Sequence, residues 1–298
     1  MTAPRRVLEN VTYLVTRRCA QRQFLLRPSP LTSAIFLYVL ALAARRYRVQ
    51  VHAFCVLSTH FHLVVTDLEA RLPAFEQYLD ALVARAVNAT LGRWEAFWAP
   101  SSYSAVALAS DEDVVAKTAY VLANPVAAGL VRGGSGWPGL WTAPEQLGGA
   151  ALAAPRPARF FRANGYLPDS AELALAVPPG FSSEEEFRER VSAALLEAEA
   201  VARRERQGSG RGFLGPRRVL AQKPWSRALP WEPRRALNPR VAARDKWKRI
   251  EALGRLVEFL DAYRNAREAL RRGVRDVLFP PGTYLLRVLY GVRCAETG

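Results

Sequence analysis

Residues 58–66 of the chain read Ser-Thr-His-Phe-His-Leu-Val-Val-Thr and contain two of its three histidines. The β-branched, aromatic and aliphatic residues around them predict a β-strand. Because alternate residues of a strand lie on the same face, His60 and His62 should stand side by side. The residues on the opposite face, Phe61, Leu63 and Val65, should point into the core of the protein.

Two imidazoles fixed on one face of a strand can supply two ligands to a metal ion or can hold a phosphate group. Such a pair also occurs as two surface histidines on a half-buried strand, and the spacing alone leaves both interpretations open. The third histidine, His52, lies on the preceding predicted strand, where nothing beside it in sequence completes a site. We therefore interpret His52 as structural.

The composition predicts a protein with a sizeable core and an anionic partner. The chain has 298 residues, half of them hydrophobic, and a formal net charge of +15. Residues 1–145 carry a net charge of +4 and residues 146–298 a net charge of +11. This excess favours nucleic acid as the partner first and an anionic membrane surface second, with the second half as the main electrostatic contact.

Cysteine use and hydropathy exclude several classes of protein. Cys19, Cys55 and Cys294 form no Cys-x-x-Cys pair, so a disulfide framework or a zinc ribbon is not expected. The longest apolar run, near residues 35–44, is too short to span a bilayer, and no apolar secretory segment precedes the first strand. We therefore expect a protein of a reducing compartment, with no membrane partner.

The first part of the chain predicts the element order β-α-β-β-α-β. Strands are expected at residues 10–16, 48–57, 58–66 and 103–108, and helices at 30–46 and 73–91, the second of which ends at Gly92. This order is typical of an α+β fold of the RRM/ferredoxin-like type, with a four-stranded antiparallel sheet and two helices on one face. We expect the other face of the sheet to be open for a substrate.

Residues 110–125 predict a third helix with a polar stripe. Ser110 can cap it, and the acidic residues 111–113 suit the positive end of its dipole. Pro125 should end the helix at Asn124. Helical spacing places four residues on the polar stripe: Asp113, Lys117, Tyr120 and Asn124. A tyrosine is usually a core residue, but the position of Tyr120 on the polar stripe favours a functional role.

A boundary is expected near residue 146, after a segment rich in Gly, Pro and Ala. This gives a domain at 1–145 and a basic, mainly helical C-terminal region at 146–298. Within that region we expect a helix over 181–206 and a long amphipathic packing helix from residue 238 to residue 272.

Residues 211–249 form a basic, proline-rich segment with 12 basic and 2 acidic side chains and interleaved aromatic residues. It is either a poorly ordered basic segment or a strip on which cations contact phosphates and aromatic rings stack on bases. The arginines after the first strand allow the same two interpretations, a solvated loop or a phosphate-contacting edge. The candidate nucleic-acid contacts are Arg17, Arg18, Lys117, Arg217, Arg218, Trp225, Arg234 and Arg235.

The two informative stretches combine into one constellation. Two imidazoles and an amide oxygen, from His60, His62 and Asn124, can hold Mg²⁺ or Mn²⁺ and leave positions for phosphate oxygens. Such an ion would polarise a scissile phosphate. Tyr120 would then be the nucleophile.

These residues resemble a known family. His60-Phe61-His62 on a strand, with residues 120–131 (Tyr-Val-Leu-Ala-Asn-Pro-Val-Ala-Ala-Gly-Leu-Val) downstream, is similar to the single-tyrosine HUH transposases. The REP-associated tyrosine transposases are the most similar group among them, and residues 13–18 also fit. The resemblance covers residues 8–140. One departure is Ser58-Thr59, where many relatives have Pro-Asn before the first histidine, and it affects the loop geometry.

The resemblance implies an RRM-like nuclease core that cleaves single-stranded DNA, commonly a hairpin, with a divalent metal ion. It implies a covalent 5′-phosphotyrosine at Tyr120, a free 3′-OH on the other fragment, and Asn124 as the third ligand after His60 and His62. It also implies a cytoplasmic protein, associated with the nucleoid when bound to DNA, that acts as a monomer or a homodimer.

Two other hypotheses remain at this point. A non-catalytic relative could hold a DNA hairpin through the basic strip without using Tyr120. A replication or plasmid-transfer initiator could use the same chemistry, although the chain has no Gly-x-x-x-x-Gly-Lys loop for a helicase function.

Overall fold

The computed structural model describes residues 4–100, 103–228 and 239–296. The predicted element order of the first part is confirmed. Its elements are β1 (Val11–Arg18), α1 (Pro30–Tyr47), β2 (Val49–Leu57), β3 (His60–Asp67), α2 (Leu72–Leu91) and β4 (Ser104–Leu108). Ser29 caps α1 by accepting a hydrogen bond from the Thr32 amide, and Gly92 ends α2 in the left-handed region. The result is a mixed α/β fold with a mostly antiparallel sheet.

Within the described residues the sheet has five strands rather than the predicted four: β2, β3, β1 and β4 in this order, followed by an additional edge strand. The strands β1–β4 pair antiparallel, whereas the two-residue strand β7 (Val241–Ala242) adds to β4 in parallel. The Ala107 amide donates to the Arg240 carbonyl, and the Ala109 amide donates to the Ala242 carbonyl. A strand this short has no hydrophobic period, so the sequence gives no sign of it.

One face of the sheet is covered by α1 and α2, as predicted. Its core contains the inward residues of β3, namely Phe61, Leu63 and Val65, all fully buried. The Phe61 ring packs edge-on against Phe36 and Trp98, with ring centroids 5.1 and 5.6 Å apart. The predicted core face of the histidine strand is therefore confirmed.

The expectation of an open second face is wrong. Two helices, α3 (Asp111–Ala127) and α4 (Glu184–Gly208), pack there over a second hydrophobic core. The apolar side chains of α3 and α4, such as Val121 and Phe187, are fully buried in it. These apolar side chains shield this face of the sheet from solvent. The two histidines lie at the beginning of β3.

Helix α3 also runs further than predicted, through Pro125 to Ala127. Proline removes one backbone donor, but the helix continues because the Ala128 amide donates to the Asn124 carbonyl. Burial of Leu122 and Val126 on the apolar side holds this last turn in place. The boundary prediction at Asn124 was therefore wrong by one turn.

The C-terminal region was predicted to be mainly helical, but helices make up less than half of it. Its further elements are β5 (Leu152–Pro155), β6 (Ser170–Leu173), α5 (Pro216–Leu220), α6 (Lys246–Arg271) and α7 (Leu285–Tyr290). The predicted start of the long helix at residue 238 is wrong. The helix starts after Asp245, whose side chain caps it by accepting from the Lys248 amide. Residues 239–242 instead run beside β4, where Val241 and Ala242 form β7.

The apolar spacing of α6 predicts a packing seam, and half of that seam is wrong; its residues are Ile250, Leu253, Leu256, Val257, Leu260 and Tyr263. Ile250, Leu253 and Val257 are exposed, whereas Phe259 and Ala266 are buried. The stripe through which α6 contacts the rest of the protein is narrower than the predicted seam. It also lies at a different position around the helix axis than the helical period alone predicts.

Residues on both sides of position 145 contribute to the two cores. Leu173 of β6 belongs to the core under α1 and α2, and Phe187 of α4 belongs to the core under α3. The division into 1–145 and 146–298 stays a prediction.

Two exclusions made from the sequence can be compared with the structure. Cys19, Cys55 and Cys294 are free, which confirms that they form no disulfide framework. Among the residues that the structure describes, every helix is too short or too polar to cross a bilayer.

The interpretation of His52 as structural agrees with its surroundings. It is fully buried at an irregularity in the β2–β3 pairing. Its Nδ1 lies 2.7 Å from the Ala176 carbonyl, and its Nε2 lies 2.7 Å from the Thr66 hydroxyl. A carbonyl only accepts, so Nδ1 carries the proton and Nε2 accepts from Thr66. Burial lowers the pKa of His52 to about 4.

We predict that His52 makes stability depend on pH between about 4 and 6.5. The unfolded chain binds a proton at His52 near pH 6.5, whereas the folded chain does so only near pH 4. Stability is therefore lost as the pH falls through this window, by about 3 kcal/mol at full protonation. Chemical unfolding of the wild type and His52→Gln at pH 7, 5.5 and 4 measures this loss. Parallel pH profiles for the two proteins would contradict the assignment.

Candidate metal and nucleophile site

The histidine pair occupies the start of β3, on the face covered by α3. In the sheet register His60 lies opposite Arg18 of β1, and His62 lies opposite Thr16. The two imidazole rings are 4.8 Å apart between centroids and nearly perpendicular. The predicted side-by-side arrangement is therefore present, and the sheet backbone fixes the positions from which both rings project.

Each histidine is oriented by a threonine hydroxyl. Thr16 Oγ1 lies 2.7 Å from His62 Nδ1, and Thr59 Oγ1 lies 2.8 Å from His60 Nδ1. Such contacts fix the ring orientation and leave the Nε2 atoms for another partner. His62 Nε2 is buried, and within the described residues it has no hydrogen-bond partner. A buried polar atom without a partner is costly, so this position fits a bound metal ion.

Burial and neighbouring cations keep both imidazoles neutral, the form that can bind a metal. Burial, with smaller contributions from the charges of Arg18 and Arg22, lowers the pKa of His60 to about 3. Burial lowers the pKa of His62 well below its usual value, with smaller contributions from His60 and Arg18. The two arginines also create a positive potential that attracts phosphate groups.

Helix α3 brings Tyr120 to the histidine pair. Ser110 caps the helix by accepting from the Asp113 amide, as predicted. The Tyr120 ring stands edge-on to His62, with centroids 5.6 Å apart, and is 46% exposed. The Lys117 ammonium lies 5.6 Å from the centre of the Tyr120 ring. The phenol thus lies beside a histidine of the pair and is also accessible from solvent. A nucleophile has to be accessible in this way if a substrate strand is to reach it.

Asn124 is buried one turn after Tyr120 on the same helix. Its side-chain amide nitrogen donates to the Tyr120 carbonyl at 3.4 Å. This orientation leaves the amide oxygen, the atom that metal ions prefer, for a ligand. In the part of the chain that is described, no group of three or more His, Cys, Asp or Glu side chains could hold a metal ion. A metal at the histidine pair therefore needs a different third ligand, and the role of Asn124 stays a prediction.

The two arginines at the end of β1 lie on different faces of the sheet. Arg17 pairs with Asp80 of α2 at 3.0 Å and adjoins the Trp98 ring. Arg18 is exposed and lies near the histidines, whose pKa values it lowers. The alternation of the strand separates Arg17 from the histidine face, so of the two only Arg18 is placed for a contact beside this site.

The segment 213–228 runs from the end of α3 to the loop after β1. The Leu214 amide donates to the Gly129 carbonyl, and the Phe24 amide donates to the Ser226 carbonyl. Between these points the Ser58 hydroxyl, two residues before His60, donates to Gln222. The segment therefore passes beside the start of the histidine strand.

Three predicted contacts in this segment are exposed near the site: Arg217, Arg218 and Trp225, the last with 63% exposure. The first two lie on the short helix α5. Arg234 and Arg235 fall outside the described residues.

The two threonines that hold the histidines are not predicted by the sequence. Thr59 lies in the loop before His60 and Thr16 ends the predicted first strand, and neither position by itself indicates a contact with a histidine. Their role depends on which residues face each other across β1 and β3, namely Thr16 opposite His62. The contact between Thr16 and His62 could have been predicted only by assuming that the first and third strands pair antiparallel in this register.

Comparison with known proteins gives structural neighbours only. No family model and no curated protein matches the chain. The chain is similar to a solved REP-associated tyrosine transposase bound to a REP hairpin, with 21% identity, a TM-score of 0.40, and coverage of 46% of this chain and 81% of that one. It is also similar to a candidate transposase from Deinococcus radiodurans, with 17% identity, a TM-score of 0.28, and coverage of 36% and 85%.

We predict that Thr16→Val weakens metal binding at the histidine pair by at least about tenfold, because His62 loses the partner that orients its ring. Titration of the protein with Mn²⁺, followed by calorimetry in the absence of DNA, measures this affinity. Thr12→Val is a matched control: it lies on the same strand and face, and its hydroxyl contacts Thr66 instead of a histidine. Equal affinities for the two variants would contradict the role of Thr16.

Proposed function

We propose that this protein is a metal-dependent, single-tyrosine endonuclease and strand-transferase for single-stranded DNA, a transposase. One observation carries the proposal: a half-exposed tyrosine stands against His62, whose buried Nε2 has no partner among the described residues. A nucleophile beside a pair of neutral, oriented imidazoles is an arrangement suited to phosphoryl transfer.

We further infer an RRM/ferredoxin-like nuclease core for β1–β4 with α1 and α2. The support is topological. The strands follow the order β2-β3-β1-β4, all neighbours are antiparallel, and both helices lie on one face. In this arrangement β1 and β3 are the central strands, so the histidine strand is hydrogen-bonded to a neighbour on both sides.

His60, His62 and Asn124 are the residues that would hold Mg²⁺ or Mn²⁺. The ion supplies Lewis-acid polarisation of the scissile phosphate when it is bound. Thr16 and Thr59 keep the imidazoles turned toward that position, and the depressed pKa values keep them unprotonated at neutral pH. Imidazole and amide donors suit Mn²⁺ at least as well as Mg²⁺.

Tyr120 carries the covalent step. Its phenol oxygen forms a bond to the phosphorus of the scissile phosphodiester, and the bond from phosphorus to the 3′-oxygen breaks. The phenol proton passes to solvent, the leaving 3′-oxygen takes up a proton, and the 5′ end stays attached to Tyr120. Attack by a 3′-OH on this phosphotyrosine reverses the step, which joins the DNA strand to a new partner.

The grip on the substrate would come from the cations around the site. Arg18, Arg22 and Lys117 lie next to the histidines and the tyrosine. The exposed residues Arg217, Arg218 and Trp225 extend this surface along the neighbouring segment. Single-stranded DNA is commonly held by such a combination of cations and stacking aromatic rings. A hairpin as the substrate is an expectation that follows from the sequence resemblance.

We predict that the wild type forms a covalent protein–DNA adduct with a labelled single-stranded hairpin and that Tyr120→Phe does not, because phenylalanine lacks the attacking oxygen. The adduct should require Mn²⁺ or Mg²⁺ and should be abolished by EDTA. Denaturing gels with a 5′- or 3′-labelled strand show the adduct and identify the attached end.

Tyr166→Phe is a matched control, because Tyr166 is an almost fully exposed tyrosine outside the site. An adduct that persists in Tyr120→Phe would place the nucleophile elsewhere. Equal hairpin binding by both proteins, with no adduct or nick under any metal across a panel of hairpins, would support the non-catalytic binding protein instead.

We predict that Arg217→Gln/Arg218→Gln weakens hairpin binding and makes it less sensitive to salt. Each lost phosphate contact should reduce the slope of log affinity against log salt by about 1. Fluorescence anisotropy in EDTA at several salt concentrations measures binding without cleavage. Arg85→Gln, an exposed arginine on α2, is the control. An unchanged slope in the double variant would remove these residues from the DNA surface.

A further inference from the structure

A cavity lies away from the histidines, on the face of the sheet that α1 and α2 cover. It has a volume of about 410 Å³ and is bordered by the N-terminal segment, the β4–β7 edge and α6. Its wall contains Tyr13, Ala105 and Ala107, which share the face of Phe61 rather than that of His62. The size is in the range of cavities that bind small organic ligands.

The charged residues of this cavity are nearly all positive. Its lining includes five cations, Arg5, Arg6, Arg240, Lys248 and Arg255, and one carboxylate, Glu251. Glu251 pairs with Arg255 at 2.5 Å and so is directed to the outer part of α6. The other four cations of the lining therefore have no acidic side chain of the lining between them. This excess of positive charge favours an anionic ligand.

Several polar atoms beside the cavity are buried and lack partners. Within the described residues, Arg5 Nη1, Arg6 Nε and the Tyr103 hydroxyl have no hydrogen-bond partner. The Arg5 guanidinium stacks on the Tyr103 ring, 3.9 Å from its centre, which fixes its plane. Buried donors that are held in place without an acceptor are costly, and a ligand that accepts hydrogen bonds would satisfy them.

One buried carboxyl outside the lining, that of Glu76, interacts with these cations. Burial and the Asp80 carboxylate raise the pKa of Glu76 well above its usual range, and the charge of Arg5 acts in the opposite direction. Burial also lowers the pKa of Arg240, and the positive charge of Arg5 adds to this effect. Like charges thus stand close together at the cavity.

The remaining lining is apolar and aromatic. Tyr13, Leu72, Ala107 and Leu256 offer flat or aliphatic surface next to the cations. The combination suits a ligand with a planar, hydrogen-bonding ring and a phosphate group, because guanidinium groups bind phosphate and stack on bases.

We propose that this cavity binds a nucleotide, with the base against the apolar wall and the phosphate among Arg5, Arg6 and Arg240. The nucleotide could be free in solution or be one unit of a DNA strand, since both present the same chemistry. The proposal does not rest on the proposed function, because the cavity lies on the opposite face of the sheet from Tyr120 and the histidines.

The test uses the full chain in EDTA and two probes, deoxyadenosine 5′-monophosphate and an unstructured 12-nucleotide single strand. Calorimetry should detect binding of the mononucleotide to the wild type. Arg240→Gln should weaken it by about tenfold or more through loss of a charge-assisted contact. Ala107→Phe should abolish it by filling the cavity without any change of charge. Thermal unfolding shows that the variants are folded.

Arg85→Gln and Tyr120→Phe are the controls, and both should bind the mononucleotide as the wild type does. If the cavity takes a unit of a strand, the two cavity variants should also weaken binding of the 12-mer, whereas a site for free nucleotides would leave that affinity unchanged. Failure of the wild type to bind either probe, or equal binding by the folded Ala107→Phe variant, would overturn the proposal. Absence of a covalent DNA adduct at Tyr120 would overturn the proposed nuclease function but not the proposed nucleotide site.

Discussion

The hydrogen-bonded ladder between β1 and β3 fixes the position of the histidine pair and of the β1 residues that face it. It places Thr16 opposite His62 and Arg18 opposite His60. A slip by one residue would move the histidines to the other face of the sheet, because the side chains of a strand alternate. That slip is blocked by Phe61, whose ring is packed between Phe36 and Trp98 on the far side. The core under α1 and α2 thus sets the geometry of the face opposite to it.

The second face depends on how α3 is held. The Trp141 indole donates to the Leu122 carbonyl, and the Asp113 carboxylate accepts from the Arg244 amide. Helix α4 covers the outer side of α3, and its Glu199 accepts from the Gly134 amide. Residues far apart in sequence therefore determine where α3 lies, and with it the position of Tyr120 against His62.

The positive charge of the chain is divided between the two faces of the sheet. On one face Arg18 and Arg22 depress the pKa of His60, which keeps the imidazole available for a metal and attracts phosphate. On the other face Arg5 and Arg240 stand near each other around a cavity with an apolar wall. The same excess of arginine thus surrounds two different candidate sites, because separate segments of the chain bring arginines to the two faces of the sheet.

The sequence by itself determined the local elements and the candidate residues. The alternation in residues 58–66 determined that His60 and His62 share a face, and helical spacing determined that Tyr120 and Asn124 lie one turn apart. These are short-range consequences of backbone geometry. Only the tertiary structure decided that α3 and α4 cover the second face, that Thr16 orients His62, that residues 241–242 extend the sheet, and that α6 leaves Ile250 exposed. Those features depend on contacts between distant segments, for which the local pattern carries no information.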